Sequence, residues 1–361
     1  RDKCMKGLEL CRQYYNEIIA PIIRNKMDFI GNMYAAALIG WGSEVLGNDD
    51  ELSRDHEWGP RCIIFLPESF MHYSDKVYDI LNKNVSTKFK DYPTRFVAHE
   101  KCEGIHVPST DGSGNVHIEV TTCKVYFQNN LGTLVPQNDI EWLSILENRL
   151  LEITGGEVFF DGVGELTKLR DFYSRYYPDD VWKFRLAYAW QSLGWDADLI
   201  GLCYDRGDIL SYRYCLNETV FRIIRLTFLL NRRYAPSYPK WIHREFYKLP
   251  FIAKEIGPAL EDIYTEKDGK HVLKRIIDIC NILIDFQNSD GKLPPLQIGH
   301  NIFSRGYINI DFQYIAEQIY ETIHGELKHI PVDGALDQWV TNQDFLLNPN
   351  RIRALSAIYN S

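Results

Sequence analysis

Asp55 and Glu57 stand two residues apart, 12 residues after the pair Gly42-Ser43. All four lie in GWGSEVLGNDDELSRDHEWGPR, residues 40–61, where six carboxylates and four glycines share 22 positions. If residue 57 opens a strand, side chains i and i+2 leave the sheet on one side. Two carboxylates so placed would hold Mg²⁺, an ion that keeps oxygen ligands and shares them with substrate phosphates. A short helix over 44–46 would put Gly42 and Ser43 at its mouth. There glycine lets the backbone approach a bulky ligand, and helix N-terminal amides favour phosphate. The competing reading is a solvated acidic loop, with Asp49, Asp50 and Glu51 as loop residues and Arg54 and Arg61 paired to nearby carboxylates.

These residues need a sheet to position them. The run 35–40 is apolar and ends in glycine, as a buried strand would. Residues 57–66 read as the next strand, closed by Pro67. Helical patterns cover 7–24 and 70–82, and 94–99 reads as a further strand. Residues 116–127 alternate, with Val116, Ile118 and Val120 on one face and His117, Glu119 and Thr121 on the other. Glu119 is therefore a third candidate carboxylate, either a metal ligand or a general base for an acceptor hydroxyl. A helix over 139–153, a strand over 157–160 and a helix over 165–177 complete an α/β sheet domain, 1–176. Beyond it the periodicity is helical over 180–193, 195–233, 240–265, 270–288, 310–325 and 350–359. The expected architecture is thus α/β followed by all-α, with a helical bundle over 177–361.

A length of 361 residues suits two domains. The net charge of −9 argues against a grip on long nucleic acid. It accommodates a small anionic ligand neutralised by metal ions. The eight cysteines, Cys4 among them, form no CxxC pair and lie in apolar runs. They read as buried free thiols in a reducing compartment. No apolar run reaches the ~20 residues of a membrane span and no signal peptide is visible, so the expected location is cytoplasmic, away from membranes. His99, Cys102 and His106, with Glu100 and Glu103, match no zinc spacing and read as a polar loop. Nucleophile-elbow, P-loop and dinucleotide-binding motifs are absent.

Gly-Ser followed by Asp-x-Glu at this distance resembles the nucleotidyltransferase superfamily, which includes polymerase β and the aminoglycoside nucleotidyltransferases. GSEVLGNDDELSRDHEWGPR looks like the signature of an uncharacterised, mainly bacterial nucleotidyltransferase-like family. The likeness continues in HIEVTT (117–122), RLLEITGGEVFFDGVGELTKLR (149–170), YYPDDVW (176–182) and NRRYAPSYPKW (231–241). It implies that Gly42 and Ser43 hold nucleotide phosphates, that Asp55 and Glu57 bind Mg²⁺ (or Mn²⁺), and that Glu119 completes the catalytic set. It makes Arg232 and Lys240 candidates for the triphosphate. On a helix over 217–234, Arg222, Arg225 and Arg232 fall within an arc of about 80°. The alternative there is salt bridging to Glu218, Glu245 or the Asp179-Asp180 pair.

The expected activity is transfer of a nucleoside monophosphate from an NTP to a hydroxyl of a small molecule or protein, with release of pyrophosphate. The alternative is a nucleotide-binding regulatory module, or a toxin–antitoxin-type partner, that does not catalyse. A homodimer is compatible with either.

Overall fold

The computed structural model describes residues 5–301, 305–342 and 348–360; Cys4 lies outside them. The chain forms two compact units, 1–135 with 149–175, and 136–148 with 176–361. The first is a mixed α/β unit and the second is helical.

In the first unit, α1 (Gly7–Tyr14) passes through a π turn (Tyr15–Ile19) into α2 (Ala20–Lys26). The strands are β1 (Ala35–Leu38), β2 (Cys62–Phe65), β3 (Lys88–Phe89), β4 (Tyr92–Pro93), β5 (Arg95–Ala98), β6 (His106–Pro108), β7 (Asn115–Val116), β8 (Ile118–Thr121) and β9 (Glu157–Asp161). Four form the main sheet in the order β8-β2-β1-β9. β1 is antiparallel to both neighbours, while β2 pairs parallel with β8 and sets Ile63 opposite Glu119. β1 is three alanines and a leucine, all buried. Alanine has little intrinsic strand preference, so burial decides here. Leu10, Ile19 and Ile23 join Ala36 and Ile64 in one core. A separate three-stranded antiparallel sheet has the order β6-β5-β7. β3 and β4 are joined by Lys90-Asp91, both at positive φ, the backbone that a two-residue hairpin turn requires.

α3 (Ser74–Asn84) precedes the hairpin. β8 gives way at once to α4 (Cys123–Leu131), so the alternation expected to run to 127 stops at Thr121. The Thr122 hydroxyl accepts from the Val125 N–H at 3.1 Å, satisfying an orphan donor of the first turn. Replacing Thr122 by alanine is expected to lower the unfolding free energy by about 1 kcal/mol. A urea titration checks this as a lower midpoint at unchanged slope; a midpoint equal to the parent would show the cap to be idle.

The helix expected over 139–153 is two helices, α5 (Asp139–Leu143) and α6 (Glu147–Thr154). Asn138 caps α5, its side chain accepting from Glu141 N–H at 2.9 Å. α7 (Glu165–Ser174) closes the first unit.

In the second unit α8 (Asp179–Arg206) is the central helix, packed against α9 (Ile209–Leu230), α12 (Gly269–Ser289) and α13 (Phe312–Glu321); α10 (Pro239–Tyr247) and α11 (Ala253–Asp262) lie between α9 and α12 in the chain. The break expected at Gly194 is absent, and α8 runs through it. Gly194 is there because a side chain would press on the Phe312 ring. The break falls instead at Gly207, whose φ of 73° forms a left-handed C-cap. The stretch expected as one helix over 240–265 is likewise split, with Ile252 at φ 67° in the gap. No helix among the described residues is long and apolar enough to cross a membrane.

Candidate functional site

Residues 41–47 follow β1 as a closed turn and not as the expected helix over 44–46. Val45 N–H donates to Gly42 O at 3.2 Å, Gly47 N–H to Glu44 O at 3.1 Å and Asn48 N–H to Ser43 O at 2.8 Å. Gly42 sits at φ 138°, and a side chain there would run into the Arg61 guanidinium and the Glu44 carboxylate. Those two groups are why the turn is tight. Both are buried, with Arg61 Nε donating to Glu44 Oε1 at 2.8 Å and Arg61 Nη2 donating to Trp41 O at 2.9 Å. Burial works against the Arg61 charge, and the Glu44 carboxylate, with smaller contributions from Cys11 and Glu57, more than restores it. Asp49 is also buried: its carboxylate accepts from Gly7 N–H at 2.9 Å and Trp58 Nε1 at 3.2 Å, and pairs with Lys6. Of the acidic stretch, Glu44 and Asp49 are therefore internal supports. Arg61 makes the ion pair expected of it, while Arg54 stacks 4.1 Å over Trp58 and donates to Met5 O.

Asp55 and Glu57 do not share a strand face, because β2 starts only at Cys62. Asp55 is 69% exposed and pairs with His56 Nδ1 at 3.0 Å. Glu57 takes a left-handed φ of 55°, a sparsely populated region for a side chain of this size. This carries its carboxylate inward, to 8% exposure. The backbone locks it to β6: Glu57 N–H donates to His106 O at 2.8 Å and His106 N–H to Glu57 Oε1 at 2.6 Å. The same oxygen lies 3.2 Å from His106 Nδ1, and Oε2 lies 2.9 Å from His117 Nε2. Burial would raise the Glu57 pKa, but His117 and His106 together lower it to about 2. Burial pushes His117 down in spite of Glu57. At neutral pH the pair is a carboxylate beside a neutral imidazole. His117 Nδ1 is buried without a hydrogen-bond partner among the described residues.

His106 thus leaves the polar loop it was expected to share with His99 and Cys102 and joins Glu57. Cys102 is exposed, against the expectation of buried thiols, although Cys11, Cys62, Cys123, Cys215 and Cys280 are buried. His117 shares its expected face with Glu119, and both line one cavity of about 770 Å³ together with Glu57, Arg61, Trp41 and Tyr126. Glu119 keeps an exposed surface, but its setting in that concavity desolvates the carboxyl and raises its pKa, partly offset by Arg61. The sequence reading missed His106 and His117 as members of the site. The polar-face alternation that singled out Glu119 carried the signal for His117. His106 had none, since only β-pairing brings it there.

In the second unit, the arginine stripe is neutralised locally. Arg222 pairs with Asp196 at 2.9 Å and Glu218 at 3.5 Å, and Arg225 pairs with Glu147 at 2.8 Å. Arg232, at φ 49°, lies 3.2 Å from Asp179 and 3.9 Å over the Trp182 ring. Lys240 is exposed between Tyr238 and Trp241.

Residues 142–242 match a family described as a domain of unknown function, DUF4037. Among solved structures, a nucleotidyltransferase-like protein from Exiguobacterium sibiricum aligns at 10% identity over 77% of each chain, with a TM-score of 0.30. No curated protein matches.

Proposed function

We propose that the first unit is a nucleotidyltransferase that moves a nucleoside monophosphate from an NTP to a hydroxyl of a small molecule or protein. The observation that supports this is the cavity that gathers Trp41, Arg61, Glu57 and Glu119, with β2 and β8 paired in parallel and Glu57 held by β6. In the proposed reaction the acceptor oxygen bonds to the α-phosphorus, the bond to the β-phosphate oxygen breaks, and pyrophosphate leaves. Glu119, made more basic by its recessed position, takes the hydroxyl proton. Gly42 and Ser43 present backbone to the phosphates.

The donors do not fit the expected Mg²⁺ pair. Mg²⁺ demands oxygen ligands in near-octahedral array, whereas both Glu57 oxygens face imidazoles and Asp55 stands outside that group. This same observation favours the second reading, a module that binds nucleotide without turning it over.

A thermal shift with ATP, GTP, CTP and UTP, with and without Mg²⁺ or Mn²⁺, tests binding. Pyrophosphate release with a panel of hydroxyl acceptors tests transfer. One NTP is expected to stabilise the protein by about 2.7 kcal/mol at a hundredfold excess over its dissociation constant. Glu119→Gln should keep the fold and lose pyrophosphate release. Binding without release would establish the second reading, and no shift with any NTP would overturn both.

A further inference from the structure

We propose that Glu57, His106 and His117 bind a divalent first-row transition-metal ion, of which Zn²⁺ is the type, through one carboxylate oxygen and two imidazole nitrogens. The three side chains come from separate places: the loop before β2, the first residue of β6, and the link between β7 and β8. One ligand atom of each lies within 4.8 Å of the other two. Around a tetrahedral ion with metal–nitrogen and metal–oxygen distances of about 2.1 Å, ligand atoms stand about 3.4 Å apart. His106 Nδ1 stands 3.2 Å from Glu57 Oε1, close to that, while His117 Nε2 stands 2.9 Å from the other carboxylate oxygen. Small rotations of the three side chains would admit the ion.

Ligand chemistry decides which ion. Two imidazoles and a carboxylate suit Zn²⁺ and its neighbours, while hard Mg²⁺ favours oxygen alone. Three protein ligands leave a fourth position open, the pattern of a reactive and not a structural zinc site. All three ligands line the 770 Å³ cavity, so the open position is within reach of whatever enters it. A purely structural role for the cluster accounts less well for one feature: Glu57 is held in a strained left-handed conformation, which persists where surroundings over-determine it. The proposal requires only the cluster, so it stands whether or not the cavity accepts a nucleotide.

The test is a Co²⁺ titration of the chelator-treated full chain, followed by visible absorption, with Zn²⁺ as competitor and thermal shift as a second readout. The expected result is one equivalent of Co²⁺ with a low-symmetry d–d spectrum and no thiolate charge-transfer band, displaced by Zn²⁺ and unaffected by excess Mg²⁺. Cys102→Ser should leave this unchanged, which removes the exposed thiol as the ligand. His117→Gln should abolish the spectrum. His106→Ala should do the same, and since His106 is 48% exposed and its backbone N–H would still hold Glu57, that variant keeps its fold. Absence of a Co²⁺ spectrum and of a Zn²⁺ thermal shift in the parent protein would overturn the proposal. So would an undiminished spectrum in the double variant H106A/H117Q. Nucleotide binding and pyrophosphate release are read in separate assays, so a failure here leaves the transferase reading intact, and the converse also holds.

Discussion

Arg185→Met is expected to destabilise the second unit by about 3–5 kcal/mol, because it strands buried carboxylates. The Arg185 side chain has 0% exposure in the second turn of α8. It donates to Asp337 Oδ1 at 2.9 Å and reaches Glu147 Oε2 at 3.4 Å, while Arg225 approaches the same Glu147 oxygen at 2.8 Å. Asp337 in turn accepts from Glu147 N–H at 2.7 Å, so one carboxylate holds the start of α6 and the arginine together. Burial would push the Asp337 pKa up, and Arg185 and Arg225 hold it below the usual carboxylate range. Methionine fills most of the arginine volume, so the loss is one of charge and hydrogen bonds and not of packing. Against a typical domain stability of about 5–15 kcal/mol, such a loss is severe. Urea unfolding of R185M, D337N and the double variant measures it. The double variant should lose less than the sum, since removing Asp337 also removes a charge that R185M leaves unpaired. A cost under about 1 kcal/mol for R185M would show that water or rearrangement compensates the network.

The same network shows where reading the sequence stops. Periodicity alone could not break the helix expected over 139–153, because Glu147 looks like any polar face residue. Its partners lie 38, 78 and 190 residues away. The strands β1 and β2, the face shared by His117 and Glu119, and the helical second half were legible, since each rests on a local pattern of apolar residues. The helical pattern was expected to break at Gly194 and to run through Gly207, and the structure reverses the two. One is a packing glycine beneath Phe312 and the other a left-handed cap, and only tertiary contact separates them. Asp55 and Glu57 failed as a strand pair for a backbone reason. The chain turns through a positive φ at residue 57 before β2 begins, so a spacing of two residues no longer means one face. Glu57 lines the same cavity as Glu119 and exchanged its expected neighbour for two histidines.

Glu44→Ala is expected to destabilise the first unit by a similar margin, about 3–5 kcal/mol, and for the mirror-image reason: it leaves a buried cation unpaired. Glu44 and Arg61 are both buried, with Nη2 at 2.7 Å from Oε1, and the turn at Gly42 is shaped around them. Glu44→Gln, which keeps an acceptor for Arg61 Nε but removes the charge, should fall between parent and alanine variant, because a hydrogen bond to a charged group is worth about 1.5–3 kcal/mol. The two variants also separate the supporting role of Glu44 from the role of Arg61 in the cavity wall. An unpaired guanidinium facing a cavity is an anion site, and guanidinium matches phosphate geometry. Inorganic phosphate should therefore raise the melting temperature of E44A more than that of the parent, in which Glu44 already occupies Arg61. Equal shifts would mean that Arg61 does not turn to the cavity when released. A stability of E44A within about 1 kcal/mol of the parent would mean that water reaches the guanidinium through the cavity, which makes Arg61 an open phosphate contact from the outset.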